Sequence, residues 1–144
     1  MANQYIDLKH AFKYLECASR QKDMVSRCKG LPKILAGRNP ESGLRDYIHC
    51  LMLVTVIAQL ESDIEQLRDI PLLHRTDMLA PRLIILRNHF QIESDVYSAV
   101  DGIRQARNLF VHEGQTQLNA GYAMAEVPGR IVTFLQRCQH PNYR

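Results

Sequence analysis

Apolar residues recur three and four apart along most of the chain, the spacing of a helix with one buried stripe. Tyr5, Leu8, Phe12 and Leu15 predict a first helix over about residues 3–29, with Lys13, Arg20 and Arg27 repeating every seven on another face. Gly30, Pro32, Gly37, Pro40 and Gly43 then mark a loop. A second helix is predicted over about 44–69, stopping before Pro71. Its middle is apolar nearly all round and belongs at the centre of a bundle. Its end (Glu61, Asp63, Glu65, Arg68, Asp69) reads as charged and solvated on at least one side. Pro81 suits the first turn of a third helix, about 80–90, with Leu83, Ile84, Ile85 and Leu86 as filling. Ser94 is placed to cap a fourth helix that begins near Asp95 and stops at Gly114. Residues from about 114 to 124 read as a loop. A fifth helix, about 125–139, turns Val127, Ile131, Phe134 and Leu135 inward. No β-alternation persists, nothing repeats, and no linker divides the chain. The expectation is an all-α bundle of about five helices forming one domain over residues 1–144.

Composition changes this picture little. The chain has 144 residues, 46% hydrophobic and 23% charged, with seven Gly and six Pro, which excludes a disordered or collagen-like polymer. It is long enough to bury a core without disulfide or metal staples. The N-terminus lacks an apolar signal region, and the apolar stretch from Tyr47 to Leu60 falls short of the roughly 20 residues of a bilayer span. A cytoplasmic protein is expected. Cys17, Cys28, Cys50 and Cys138 lack zinc or redox spacing and read as reduced thiols, mostly packed inside. Cys138-Gln139-His140 lacks two further ligands, so no metal and no cofactor are expected. The net charge is +3, but residues 1–40 carry eight basic and three acidic side chains, a balance of +5, and the rest carries −2. Such a segment fits a phosphate-rich partner or an ordinary solvated helix.

The fourth helix is the informative one. At 100° per residue, Val96, Ala99, Ile103, Ala106 and Phe110 share a face. Asp101, Arg104, Gln105, Asn108 and His112 lie opposite, with Arg104, Asn108 and His112 in one line. Arg107 sits at the boundary, able to swing onto that line. Periodicity alone does not separate a working polar face from a wet one.

The run Arg107-Asn108-Leu109-Phe110-Val111-His112 resembles the signature of the HEPN superfamily, an Arg and a His separated by four to six residues, here in its Arg-Asn-x-x-x-His form. The motif stands at the C-terminal end of the penultimate helix of a short all-α chain, as in that family. The second helix resembles the family's central helix, with an apolar run ending Ala58-Gln59-Leu60-Glu61-Ser62. The likeness covers about residues 44–139. It implies a HEPN-like, antiparallel up-and-down bundle, usually a homodimer and often a metal-independent ribonuclease acting as a toxin of a toxin–antitoxin pair or in abortive infection. An antitoxin of nucleotidyltransferase type is a partner the resemblance allows. Some relatives carry a Tyr two residues after the His as the target of such a partner. Gly114 stands there, so that modification does not transfer.

The chemistry suits those side chains. RNA supplies its own nucleophile, the 2′-hydroxyl. Its transfer to the adjacent phosphate requires a base, positive charge for the phosphorane, and an acid for the leaving 5′-oxygen. Imidazole titrates near working pH, so His112 is the expected proton-transfer group. Arg107 would hold nonbridging oxygens with donors that stay charged. Asn108 would orient the ring or the phosphate. One imidazole cannot act as base and acid in the same step, so two copies facing each other are expected to complete the site. Arg104 either contacts phosphate or is plain surface. Asp101 either orients Arg104 or balances it. Glu61 is the acid that similar proteins set facing the motif Arg. Lys13, Arg20 and Arg27 either guide RNA by charge or are solvated surface. His10, His49, His74, His89 and His140 have no partners at informative spacing. Two other functions fit the sequence: a non-catalytic interaction or regulatory module of the same fold, and a basic nucleic-acid binder acting through its first helix.

Overall fold

The computed structural model describes Tyr5, His10 and residues 40–113 and 126–144. Tyr5 and His10 are helical, and the remainder of the predicted first helix lies outside the described residues, as do Lys13, Arg20, Arg27, Cys17, Cys28 and the predicted loop over 114–124. The described residues form four α-helices: α1 (Pro40–Glu65), α2 (Leu79–Phe90), α3 (Ser94–Glu113) and α4 (Val127–Arg137), with a 3₁₀ turn at Leu73–Arg75 between α1 and α2. They hold no strand, so the class is all-α. Among them no helix is long and apolar enough to cross a membrane.

α1 starts earlier than the glycine and proline pattern predicts. Pro40 opens it and Gly43 lies inside it, because proline is well suited to a first turn and marks a start as readily as a break. It also ends earlier, at Glu65. There the amides of Gln66 and Leu67 donate three residues back, to Asp63 and Ile64, which tightens and closes the last turn. Leu67, Ile70 and Leu73 still dip into the core, and Leu72 turns the chain in the left-handed region at φ 69°.

Among the described helices, α3 packs against α1, α2 and α4. α1 buries Met52, Leu53, Val56, Ile57, Leu60 and Ile64 but leaves Leu51, Thr55 and Ala58 exposed, so an all-round apolar sequence here still has a wet side. α2 buries Leu79, Arg82, Leu83 and Leu86, a spacing of three, four and seven; Ile84, expected as filling, points outward. It closes through Gln91 in the left-handed region (φ 52°), with the Ile92 amide reaching back to Arg87. Ser94 is the first residue of α3 rather than its cap, and the Tyr97 amide bonds the Glu93 carbonyl. α4 buries Val127, Ile131, Phe134 and Leu135, as its periodicity predicts.

Two contacts fix α3 between its neighbours. The Arg87 guanidinium lies 4.7 Å over the Tyr97 ring. At the other side Arg137 Nε donates to both Glu93 oxygens, at 3.0 and 3.1 Å.

Below the core lies a polar knot that the sequence pattern misplaced. Asp63, expected in water, is 2% exposed. Its Oδ2 accepts from the hydroxyls of Tyr5 and Tyr143, both at 2.8 Å, and its Oδ1 from Gln59 Nε2 at 3.1 Å. His140, which has no partner at an informative spacing in the sequence, is fully buried. The Asn142 amide donates to its Nδ1 at 3.2 Å, so the ring carries its proton on Nε2 and donates it to the Asp63 carbonyl at 3.0 Å. One residue of α1 thereby holds the chain near both of its described ends. His74 also has a partner, with Nε2 2.6 Å from the Leu67 carbonyl.

Candidate functional site

α3 carries the motif, and its helical register decides what each side chain meets. The stripe that α3 buries is Val100 and Ile103. Arg107 follows four residues after Ile103 and seven after Val100, so it continues the inward stripe toward α1. The sequence reading put it at the edge of the polar face. Its side chain is only 23% exposed, and Nη2 faces Glu61 Oε1 of α1 at 3.5 Å. The Nε of Arg107 is buried with no hydrogen-bond partner.

Arg107, Asn108 and His112 line one cleft of about 260 Å³ together with Arg104 and Glu61. Five of the residues singled out from sequence thus come together. The opposite wall is Asp77, Met78, Leu79 and Ala80. No periodic signal marks those four, because they belong to the loop before α2 and to its first turn. Their placement depends on a long-range anchor. Arg82, buried in α2, donates from Nε to the Thr76 carbonyl at 2.7 Å and from Nη1 to Glu65 Oε2 at 2.6 Å. That hydrogen bond, with the guanidinium charge, holds the Glu65 carboxyl below its usual range.

The two arginines of the cleft differ in what binds them. Arg104 Nε donates to Asp101 Oδ1 at 2.8 Å, one turn back on the same helix, and Asp101 Oδ2 accepts from Gln105 Nε2 at 2.7 Å. Asp101 therefore orients Arg104 and stands outside the cleft lining. By contrast, 3.5 Å is long for a charged pair, whose hydrogen bonds settle at about 2.7–2.9 Å. Arg107 and Glu61 attract each other but are not tightly engaged. The Arg107 Nε is buried and unpaired, and an unmade hydrogen bond there is costly.

His112 is exposed and Asn108 half-buried. Both also border a second shallow depression of about 270 Å³, lined further by Gln105, Leu109 and Glu113, so they form a ridge between two hollows. Among the described residues no group of three or more His, Cys, Asp or Glu side chains is placed to hold a metal ion. Lys13, Arg20 and Arg27 lie outside the described residues, so their relation to this cleft is not among its geometry. The sequence pattern missed Asp77 and Met78 in this site, and Asp63 and His140 in the core. No family model, curated protein or solved structure matches the chain.

Proposed function

We propose that the chain is a metal-independent endoribonuclease of HEPN type, a homodimer that acts as a toxin or in abortive infection. The observation that carries this is the convergence of Arg107, Asn108 and His112 with Glu61 on one cleft, where an Arg107 guanidinium donor meets Glu61 at a loose 3.5 Å. Such donors suit the nonbridging oxygens of a phosphodiester. An exposed imidazole one turn beyond Asn108 suits proton transfer to a leaving 5′-oxygen. The products are a 2′,3′-cyclic phosphate and a 5′-hydroxyl, and DNA resists because it lacks the 2′-hydroxyl.

The test is incubation of purified protein with end-labelled RNA in EDTA, followed by identification of the new ends. Wild type is expected to leave cyclic phosphate ends. His112→Ala is expected to retain its circular dichroism spectrum and lose cleavage by about 10²–10⁴-fold, the usual worth of a proton-transfer group. If His112→Ala cuts at the parental rate, the role given to His112 is wrong.

A second function is favoured by the exposed Leu109 beside the ridge: an interaction module without catalysis. In that case wild type leaves RNA intact and Arg107→Ala weakens complex formation instead.

A further inference from the structure

Transesterification of RNA needs two proton-transfer groups, and a twofold mate is one way to supply the second. The cleft of a single chain already contains another. Glu61 lies in it with His112, and its carboxylate is only loosely held by Arg107 at 3.5 Å. The other carboxylates nearby are differently placed. Asp101 is tied to Arg104 and Gln105, and Glu65, one turn along α1, is bonded to Arg82. Asp77, on the opposite wall, is fully exposed. Among these four, Glu61 combines accessible lone pairs with a position beside the guanidinium that would bind phosphate.

We infer that Glu61 is the general base and His112 the general acid of one intrachain site. This rests on the ribonuclease function proposed above and assigns its proton steps. The 2′-hydroxyl proton passes to the Glu61 carboxylate as the 2′-oxygen forms its bond to phosphorus. The bond from phosphorus to the 5′-oxygen breaks, and that oxygen takes a proton from the His112 imidazolium. The chain is left with a carboxylic acid and a neutral imidazole, which exchange with solvent to restore the starting state. No oxidant, reductant or further reactant enters. Arg107 bridges base and phosphate, so binding of the phosphate loosens Glu61 further at the moment its lone pair is needed. The dimer then shapes the RNA path without supplying the base.

The ionisable groups sharing the cleft with Glu61 are Arg104, Arg107 and His112 from α3 and Asp77 from the loop before α2. A base that acts deprotonated sets the acidic limb of the pH–kcat/KM profile, so removing it changes that limb. The informative variant is Glu61→Gln, which keeps an oxygen able to accept from Arg107 and removes the basicity. Glu61→Gln is expected to lose about 10²–10⁴-fold in kcat/KM together with the acidic limb, while Glu61→Asp recovers part of the rate. Thermal melts of both variants, matched to the parent, separate lost chemistry from lost fold. If Glu61→Gln cuts within about threefold of wild type and keeps the wild-type acidic limb, Glu61 is not the base and the ribonuclease function stands with a two-imidazole site. If wild type does not cut RNA at all, the ribonuclease function itself fails, and the assignment of Glu61 with it.

Discussion

Asp63 shows how much one side chain can determine. A carboxylate with 2% exposure is tolerable only because three donors reach it, the hydroxyls of Tyr5 and Tyr143 and the amide of Gln59. Burial first, and then the hydrogen bond to Asp63, push both phenols above their ordinary range. Burial likewise pushes the Cys138 thiol up to about 12. In the unfolded chain such a thiol ionises near about 8.5 and a phenol near about 10. Above those values the unfolded state has lost protons that the folded state still holds, so stability falls as pH rises, by up to about 1.4 kcal/mol per pH unit for each group. The urea midpoint is therefore expected to drop from about pH 8.5, where the thiol of the unfolded chain ionises, and more steeply above about pH 10, where its phenols do. Tyr143→Phe is expected to lower stability at neutral pH by about 1.5–3 kcal/mol, the worth of a hydrogen bond to a charged acceptor, and to flatten the alkaline decline. A midpoint that stays level over that range would show that these groups ionise alike in both states.

At the scale of elements, the loop between α1 and α2 forms one wall of the cleft, and Arg82 holds it. The guanidinium binds the Thr76 carbonyl through Nε and Glu65 through Nη1, two directions that a planar fork satisfies at once. Lysine offers a single point of charge, so Arg82→Lys is expected to lose about 1–3 kcal/mol and to open the loop over residues 66–78 to proteolysis. Equal melting temperature and equal protease resistance in Arg82→Lys would remove Arg82 from that role. Legibility in the sequence follows the range of the contacts. α3 and α4 were readable because their buried stripes are set by local periodicity, and the line from Arg104 through Asn108 to His112 was readable for the same reason. Pro40 and Gly43 were misplaced because the same residues can mark a break or lie within a helical start. Asp63 and His140 meet across 77 residues, and Arg107 meets Glu61 across 46, so no window along the chain contains either pair. In the sequence only the resemblance to other proteins points to the Glu61 contact. The wall from Asp77 to Ala80 had no such support and was missed.

For the whole molecule, the distribution of charge poses a question that the cleft does not answer. Both of its arginines stand beside acids, Arg104 beside Asp101 and Arg107 beside Glu61, and Asp77 adds a further negative charge at the rim. A site composed in this way can position one phosphodiester but does little to draw a polyanion from a distance. On the ribonuclease function proposed above, long-range attraction has to come from elsewhere, and the balance of +5 in residues 1–40 against −2 in the remainder makes the N-terminal segment the place to test for it. Capture and chemistry are then separable. Neutralising Lys13, Arg20 and Arg27 together to Gln is expected to raise KM for RNA on the order of ten- to a hundredfold at low salt and to leave kcat near the parental value. The slope of log binding constant against log salt should fall by about two, since each phosphate contact to single-stranded RNA contributes about 0.7. Variants at His112 or Glu61 should do the reverse, changing kcat with little effect on the salt slope. If the triple variant lowers kcat in parallel with affinity, those three cations belong to the reacting site; if it changes neither, the N-terminal charge is solvated surface and the attraction lies in the body of the protein.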